Sequence, residues 1–516
     1  MRPSIPRLSD YDVSAIHGFL PTEPPCDHLS DPYYARWEVI VQNLQSLILT
    51  RRLRKVIDDL PVLDTHFLTT EAEWRRAYSI MGFMTHSYVW GGDSPLERVP
   101  PGISVPLLSA CEHLELPPVA TYAGLVLWNW RPLAIHEPID NLENIFTLHT
   151  LTGSMDESWF YLVSAAIEAR GAPIIPIMLD AVAAARYNDS DTVTERLRSF
   201  AERVDELGSL LNRMYENCDP HIFYHRIRPV LAGSKNMADA GLPNGLFFDT
   251  GSPEDRHVQF SGGSNAQSSI IQFFDIILGI EHRPTGDRGT ESSASESEAA
   301  KAPPGAPSHN FILEMRKYMP GPHRRFLEQI ERIANIRQYV SANRDNRALT
   351  GAFDACLAML RAFRDKHIQM VSRYIIVKSR ESTSHSKSMS PQQQQQQHLP
   401  SRPKKVNLAS ASAASTSPST PPKKLRGTGG TALIPFLKQA RDETGEPAID
   451  AWARRLLNNG PGPAEQAFTD ASLPEMERAT GARLTKMGEH ASGEMEIVGL
   501  AGVWSVDDSE GGICHW

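Results

Sequence analysis

Arg361-Ala-Phe-Arg-Asp-Lys-His-Ile-Gln-Met-Val-Ser-Arg-Tyr374 decides how the chain is read. Its spacing predicts a helix: Leu360, Phe363, Val371 and Tyr374 recur on or beside the stripe that carries His367, and Arg364 stands one turn earlier. A neutral imidazole in an apolar wall, with a guanidinium three residues away, is what an axial ligand of haem iron requires when the guanidinium meets a propionate. A buried, hydrogen-bonded core histidine leaves the same pattern and is the commoner outcome. The remaining segments decide between the two.

Helical periodicity extends outward from this stretch. Phe160, Val163, Ser164 and Ile167 share one face, and Leu197, Phe200, Val204, Leu207 and Leu211 share another. Asp31 and Pro32 read as an N-cap and first helical residue. Trp37, Ile40, Val41, Leu44, Leu47 and Ile48 then continue one long helix toward the cations of Arg51-Arg52-Leu53-Arg54-Lys55. Further helices are expected around 71–84 and 105–112, with Pro100-Pro101 and Pro117-Pro118 as breaks. Asp219-Pro-His-Ile-Phe-Tyr-His-Arg-Ile-Arg-Pro-Val-Leu231 opens with a cap and meets Pro229, which frees the His225 carbonyl, kinks the helix and turns Arg228 toward a pocket. Strand signals are few, so the expected fold class is all-α.

At 516 residues the chain exceeds one small core. The expected organisation is a small helical domain over 1–118 and a larger one over 119–378, interrupted at 283–309 by a Ser/Gly/Glu/Ala/Pro-rich insertion. A low-complexity linker containing Gln392 to Gln397 follows over 379–425, then a glycine-rich segment and terminal helix over 426–444. The tail, 445–516, has one amphipathic patch at Ile449, Trp452 and Leu456. Insertion and linker bury too little apolar surface to offset the entropy of ordering, and both read as disordered. The 41% of hydrophobic residues suffices for globular packing elsewhere.

A net charge of −9 without a basic face argues against nucleic acid as a partner. There is no run of eighteen apolar residues, and Met1-Arg-Pro-Ser-Ile-Pro lacks a signal-peptide core, so a soluble, cytoplasmic protein without membrane association is expected; a monomer is the expected state. Cys26, Cys111, Cys218, Cys356 and Cys514 form no CxxC or CxxCH, which argues against a disulfide framework, a zinc ribbon and c-type haem attachment and for reduced thiols.

Phe260-Ser-Gly-Gly-Ser-Asn-Ala-Gln-Ser-Ser-Ile270 places glycines ahead of a helix but lacks the lysine of a phosphate-binding loop. What remains is close backbone approach to a flat cofactor or substrate, or a simple capping turn. Ser164 follows Phe160 by one turn outside any GxSxG elbow, and back-bonding to the Phe160 carbonyl is its ordinary role. Arg228, after Phe223 and Tyr224, fits either a surface ion pair or a clamp for the carboxylate of an aromatic substrate. His221 and His225 have metal spacing but neither an HExxH glutamate nor a third ligand.

Taken in chain order, Tyr122-Ala-Gly-Leu-Val-Leu-Trp-Asn-Trp130, Phe160-Tyr-Leu-Val-Ser164, Phe223-Tyr-His-Arg-Ile-Arg228, Phe260 to Ser269, Met315-Arg-Lys-Tyr-Met-Pro-Gly-Pro-His-Arg324, Phe363 to Tyr374 and Gly427-Thr-Gly-Gly-Thr431 resemble the indoleamine 2,3-dioxygenase family. The resemblance spans about Asp10 to Thr444, insertions excepted. It implies two helical domains with haem b between them, held mainly by the larger. His367 is then the iron ligand and Arg364 the partner of a propionate, with the loop Gly262, Gly263, Ser264 and Asn265 closing the pocket. Tyr122, Leu125, Val126, Phe160 and Ser164 would surround the indole, Leu231 would close over it, and Thr428 would belong to a mobile segment over the amino acid's charged groups. Ser164, Phe223 and Arg228 would be the catalytic residues, Phe223 packing on the substrate and Arg228 binding its carboxylate. The implied reaction uses O2 as co-substrate to cleave the indole C2=C3 bond of L-tryptophan or a related indoleamine. It yields N-formylkynurenine with both oxygen atoms retained and opens the kynurenine route toward NAD. Leu125 and Asn265 depart from the smaller residues of better-known members, implying a tighter or more polar edge. A catalytically weak haem-binding sensor or scaffold is the second reading, and a haem-free helical interaction protein the third.

Overall fold

The computed structural model describes residues 3–284, 310–380, 433–458, 487–489, 495–499 and 502–506. The insertion at 283–309 and the linker at 379–425 lie largely outside them, and Thr428 lies wholly outside. The described chain is mostly helical, as its periodicity predicts. Its nine principal helices before residue 450 are α1 (Glu71–Trp90), α2 (Pro101–Leu114), α3 (Met155–Gly171), α4 (Ile174–Arg186), α5 (Ser190–Asn212), α6 (Ser269–Leu278), α7 (Gly321–Ile333), α8 (Arg347–Val371) and α9 (Leu433–Gly445).

Local chemistry explains where these helices begin. Thr70 and Glu73 form a capping box at α1, Glu73 N–H donating to the Thr70 hydroxyl (3.3 Å) and Thr70 N–H to the Glu73 carboxylate (3.0 Å). Pro101 opens α2 instead of breaking a helix, since the first helical position needs no N–H bond. The long helix expected after Asp31 is a correction: Asp31 does cap Pro32–Tyr34, but the regular turns divide into Ala35–Gln42 and Leu44–Leu49. Asn43 separates them, its side-chain amide donating to the Val39 carbonyl at 2.8 Å and competing with the backbone ladder.

Helix α8 runs along α5, α5 packs on α3 and α4, and α9 lies on α8. Phe200 of α5 meets Phe274 of α6 edge-on at 5.3 Å in the core. The apolar stretch Met155–Arg186 is long enough to resemble a membrane span, yet 78% of its most apolar window is buried within the protein. Strands are short: β1 (Arg98–Val99) pairs in parallel with β4 (Leu246–Phe248), β4 antiparallel with β5 (His257–Val258), and β2 (Trp130–Pro132) antiparallel with β3 (Ile145–Thr147). The chain divides into compact units Met1–Asp450 and Ala451–Trp516. The boundary at residue 118 therefore stays a reading of the sequence inside the first unit. The second contains a helix, Ala451–Asn458, and an antiparallel meander of Met487–Glu489, Met495–Gly499 and Gly502–Val506.

A buried polar cluster fastens α9. Arg364 of α8 donates to both oxygens of Asp275 on α6 (2.6 and 2.7 Å) and, through its other terminal nitrogen, to the Ala440 carbonyl (3.2 Å) and the Thr444 hydroxyl. His282 bridges Asp275 (2.9 Å) and Glu443 (2.6 Å). Burial disfavours charge on His282, but Asp275 and Glu443 outweigh it and raise its pKa; burial also opposes charge on both carboxylates, but Arg364 and then His282 outweigh it at Asp275, and His282, Gln439 and the Arg283 N–H outweigh it at Glu443, so both pKa values are lowered. The imidazolium's contribution is complete below its ordinary 6.5 and is lost as pH rises through the raised folded value. The carboxylates' contribution is present above their ordinary values of 3.8 and 4.5 and is lost as pH falls through the lowered ones. His282→Ala is therefore expected to cost about 3 kcal/mol at mildly acid pH and clearly less in alkaline buffer. Urea denaturation at the two conditions measures this, and an equal loss at both contradicts it.

Candidate active site

Three wide helical turns shape one cavity. Residues 123–127, 223–227 and 372–377 adopt π-helical geometry, in which one additional residue per turn displaces side chains from the regular face. In the second, Arg228 N–H bonds the Phe223 carbonyl five residues back, just before Pro229. The kink expected at Pro229 is thus taken up as a widened turn, and it carries Arg228 into the cavity wall. The cavity measures about 250 Å³. Tyr122, Leu125 and Val126 reach it from the first turn, Phe160, Ser164 and Ile167 from α3, and Phe223, Arg228 and Leu231 from the second turn and the residues after it. Phe363, Arg364 and His367 of α8 line it, as do Leu433, Phe436, Leu437 and Ala440 of α9.

His367 is partly exposed, toward this cavity. Burial, assisted by the Arg364 cation, pushes its pKa down to about 4, so the ring is neutral near pH 7. Among the described residues it has no side-chain hydrogen-bond partner, unlike the core histidine His86, whose ring bonds the Val230 carbonyl (2.8 Å) and the Ala120 N–H (3.1 Å). A neutral imidazole presented to a largely apolar cavity fits an axial ligand of haem. Arg364 reaches the same wall, but its guanidinium is already held by Asp275, Ala440 and Thr444. The guanidinium expected to partner a propionate is, in the structure, one half of an ion pair with Asp275, and both residues line the cavity.

Aromatic side chains form a contiguous part of the lining. Phe160 lies 5.0 Å from Phe223 and Phe223 lies 5.6 Å from Tyr374, in tilted and edge-on geometry. The Tyr374 hydroxyl donates to the Cys218 carbonyl at 2.5 Å, which fixes that ring. Arg228 is buried, with its guanidinium carbon 5.6 Å from the Tyr224 ring centre; burial presses its pKa down, and Tyr224 opposes this. Two expectations change. The Ser164 hydroxyl donates to the Phe160 carbonyl (3.2 Å), its ordinary helical role, and Tyr122 gives its hydroxyl to Glu168 (3.1 Å). Neither hydroxyl is held toward substrate.

The glycine loop also divides in function. Gly263, Ser264 and Asn265 line the cavity, Asn265 being exposed and Ser264 capping the short turn that follows. Gly262 does not line it: a Cβ there would run into the Leu231 carbonyl, so this glycine serves backbone packing. At Gly263 a Cβ would stand 2.5 Å from Leu125 Cδ1. Sequence reasoning missed Asp275, Gln272 and Phe311, which also line the cavity, and Glu168 behind its wall. The signal for two of them was a carboxylate inside an apolar helix: Phe-Phe-Asp-Ile-Ile-Leu around Asp275, and Ser-Ala-Ala-Ile-Glu-Ala around Glu168.

A family model described as indoleamine 2,3-dioxygenase matches residues 7–447. An indoleamine 2,3-dioxygenase of Saccharomyces cerevisiae is 41% identical over 459 residues, covering 86% of this chain and 94% of its own. One of Penicillium citrinum is 35% identical over 472 residues, covering 89% of this chain and 94% of its own. A 6-hydroxytryptophan 2,3-dioxygenase of Fusarium equiseti is 37% identical over 438 residues, covering 84% and 96% respectively.

The contact between Gly263 and Leu125 is testable without any ligand. Gly263→Ala is expected to destabilise the fold by about 1–3 kcal/mol through overpacking, and by clearly less when it is made in a Leu125→Ala background, where the clashing methyl is gone. A double-mutant cycle by thermal or urea unfolding checks this. Additive losses would place Leu125 elsewhere.

Proposed function

The chain belongs to the indoleamine 2,3-dioxygenase family and is a dioxygenase. From that premise we propose that it uses haem b and O2 to cleave the indole C2=C3 bond of L-tryptophan, or of a close indoleamine, to N-formylkynurenine. The observation that carries this reading is one cavity whose lining brings together a neutral imidazole, His367, without a side-chain hydrogen-bond partner among the described residues, a buried guanidinium, Arg228, and aromatic rings.

Haem iron, when bound through His367, supplies the activation of O2. The rest falls to the chain's own side chains. Arg228 receives the amino acid's carboxylate, which offsets the cost of burying the guanidinium. Phe160, Phe223 and the ring of Tyr122 hold the indole by area and edge contacts and exclude water from it. Oxygen adds to the electron-rich ring bond, so the wall needs no serine nucleophile; Ser164, bonded to Phe160, contributes volume and shape. Asp275 keeps the Arg364 side chain extended along the wall near His367, where its cation helps to hold the imidazole neutral.

Reduced, haem-reconstituted protein is expected to form N-formylkynurenine from L-tryptophan. His367→Ala is expected to lose stable haem retention, read from the Soret band after gel filtration. Arg228→Ala is expected to keep haem and raise KM about 10–100-fold, the worth of a hydrogen bond to a charged group. A full Soret band and full turnover in His367→Ala would remove the assignment. A normal haem spectrum without product would instead favour the catalytically weak relative.

A further inference from the structure

One buried acid behind the cavity is not used by the reaction as described. Glu168 lies on α3 one turn after Ser164 and is 0% exposed. Its Oε1 accepts the Tyr122 hydroxyl at 3.1 Å and the Ser268 hydroxyl at 2.6 Å, while Oε2 is buried without a hydrogen-bond partner among the described residues. Tyr122 and Ser268 both line the cavity, from different segments. A second tie joins the same segments: Tyr122 N–H donates to the Gln267 side-chain oxygen (2.8 Å), whose amide donates to the Gly262 carbonyl (2.9 Å). Glu168 is thus the side chain at which α3, the turn bearing Tyr122 and the 261–268 loop converge.

Core packing alone does not account for an acid here. A glutamate with an orphaned oxygen carries a desolvation cost that an apolar residue of similar size avoids, and such costs persist where a site needs them. Resting on the reading that the cavity binds an indole amino acid, we propose that Glu168 is a positioning residue of the active site, setting the distance between the Tyr122 ring and the 261–268 loop and hence the width of the slot for the indole.

Titration supports the geometry. Burial raises the Glu168 carboxyl to about 7, against the smaller lowering effects of Ser268 and then Tyr122, and these two hydroxyls are the groups that face it. Ionisation shortens and strengthens both hydroxyl bonds, drawing Tyr122 and Ser268 toward α3 and away from the slot. Because the folded pKa is raised, the destabilising effect of the acid sets in above its ordinary 4.5 and is complete above about 7.

The test compares wild type, Glu168→Gln and Glu168→Ala as haem-loaded full chains. Wild-type KM for L-tryptophan is expected to rise across pH 6–8 with little change in kcat. Glu168→Gln, which keeps an acceptor for both hydroxyls but cannot ionise, is expected to have a flat KM over that range. Glu168→Ala is expected to raise KM about ten-fold at pH 6, the worth of a lost hydrogen bond, with Gln restoring it. In melts without substrate, wild type is expected to lose Tm relative to Glu168→Gln as pH rises from 5 to 8. A pH profile shared by wild type and Glu168→Gln, or an unchanged KM in Glu168→Ala, overturns the inference. Absence of product from wild type defeats the dioxygenase reading alone; the calorimetric Kd for L-tryptophan then carries the same comparison. A pH-independent difference in both Kd and Tm overturns the role of Glu168.

Discussion

The buried pair between Arg364 and Asp275 is the constraint on which the site depends. It joins α6 to α8 one turn before His367, and the same guanidinium reaches the carbonyl of Ala440 and the hydroxyl of Thr444 on α9. Removing two charges from water costs several kcal/mol per ion, recovered only when geometry is good and remaining donors are satisfied. Here both carboxylate oxygens and both terminal guanidinium nitrogens are occupied, and His282 and Glu443 extend the cluster. The consequence is a charge-balanced cluster beside the imidazole that lets α9 close the cavity wall; burial lowers the pKa of His367, and the Arg364 cation adds to that.

The aromatic lining works by a different principle. Apart from Phe160 on α3, it is built at widened turns, where the backbone gives up regular helical bonding to place Tyr122, Phe223, Arg228 and Tyr374 around one space. Glycines are used where backbone meets backbone or a neighbour, as at Gly262 against Leu231 and Gly263 against Leu125. Among the described residues the charge beside these rings is that of Arg228, whose burial suits the carboxylate proposed for it. Desolvated cation, flat apolar rings and neutral imidazole are the features on which the proposed reading, a site for a small zwitterion with an aromatic side chain, rests.

Much of this was legible in the sequence, because the signals were periodic or chemically unusual. The helix bearing His367, the face of Phe160 to Ile167 and the cap at Asp219 follow from spacing and capping alone. Other features depend on partners far along the chain. Nothing local to Arg364 announces that Asp275, 89 residues earlier, will take its guanidinium. The Ser164 hydroxyl was read toward substrate through the family resemblance, although the bond to Phe160 was the plain helical expectation. The break at Asn43 was hidden because its apolar pattern continues unbroken while one side-chain amide competes for the backbone. Pro229 announced a distortion, but only the three-dimensional context made it a π turn.

The most direct measurement is the fate of O2. Haem-reconstituted protein, reduced and given L-tryptophan under 18O2, is predicted to yield N-formylkynurenine carrying two labelled oxygens, read by mass spectrometry before the formyl oxygen exchanges. A product with one label and one oxygen from water, or an unopened indole ring, would contradict the assignment of this cavity to dioxygen insertion.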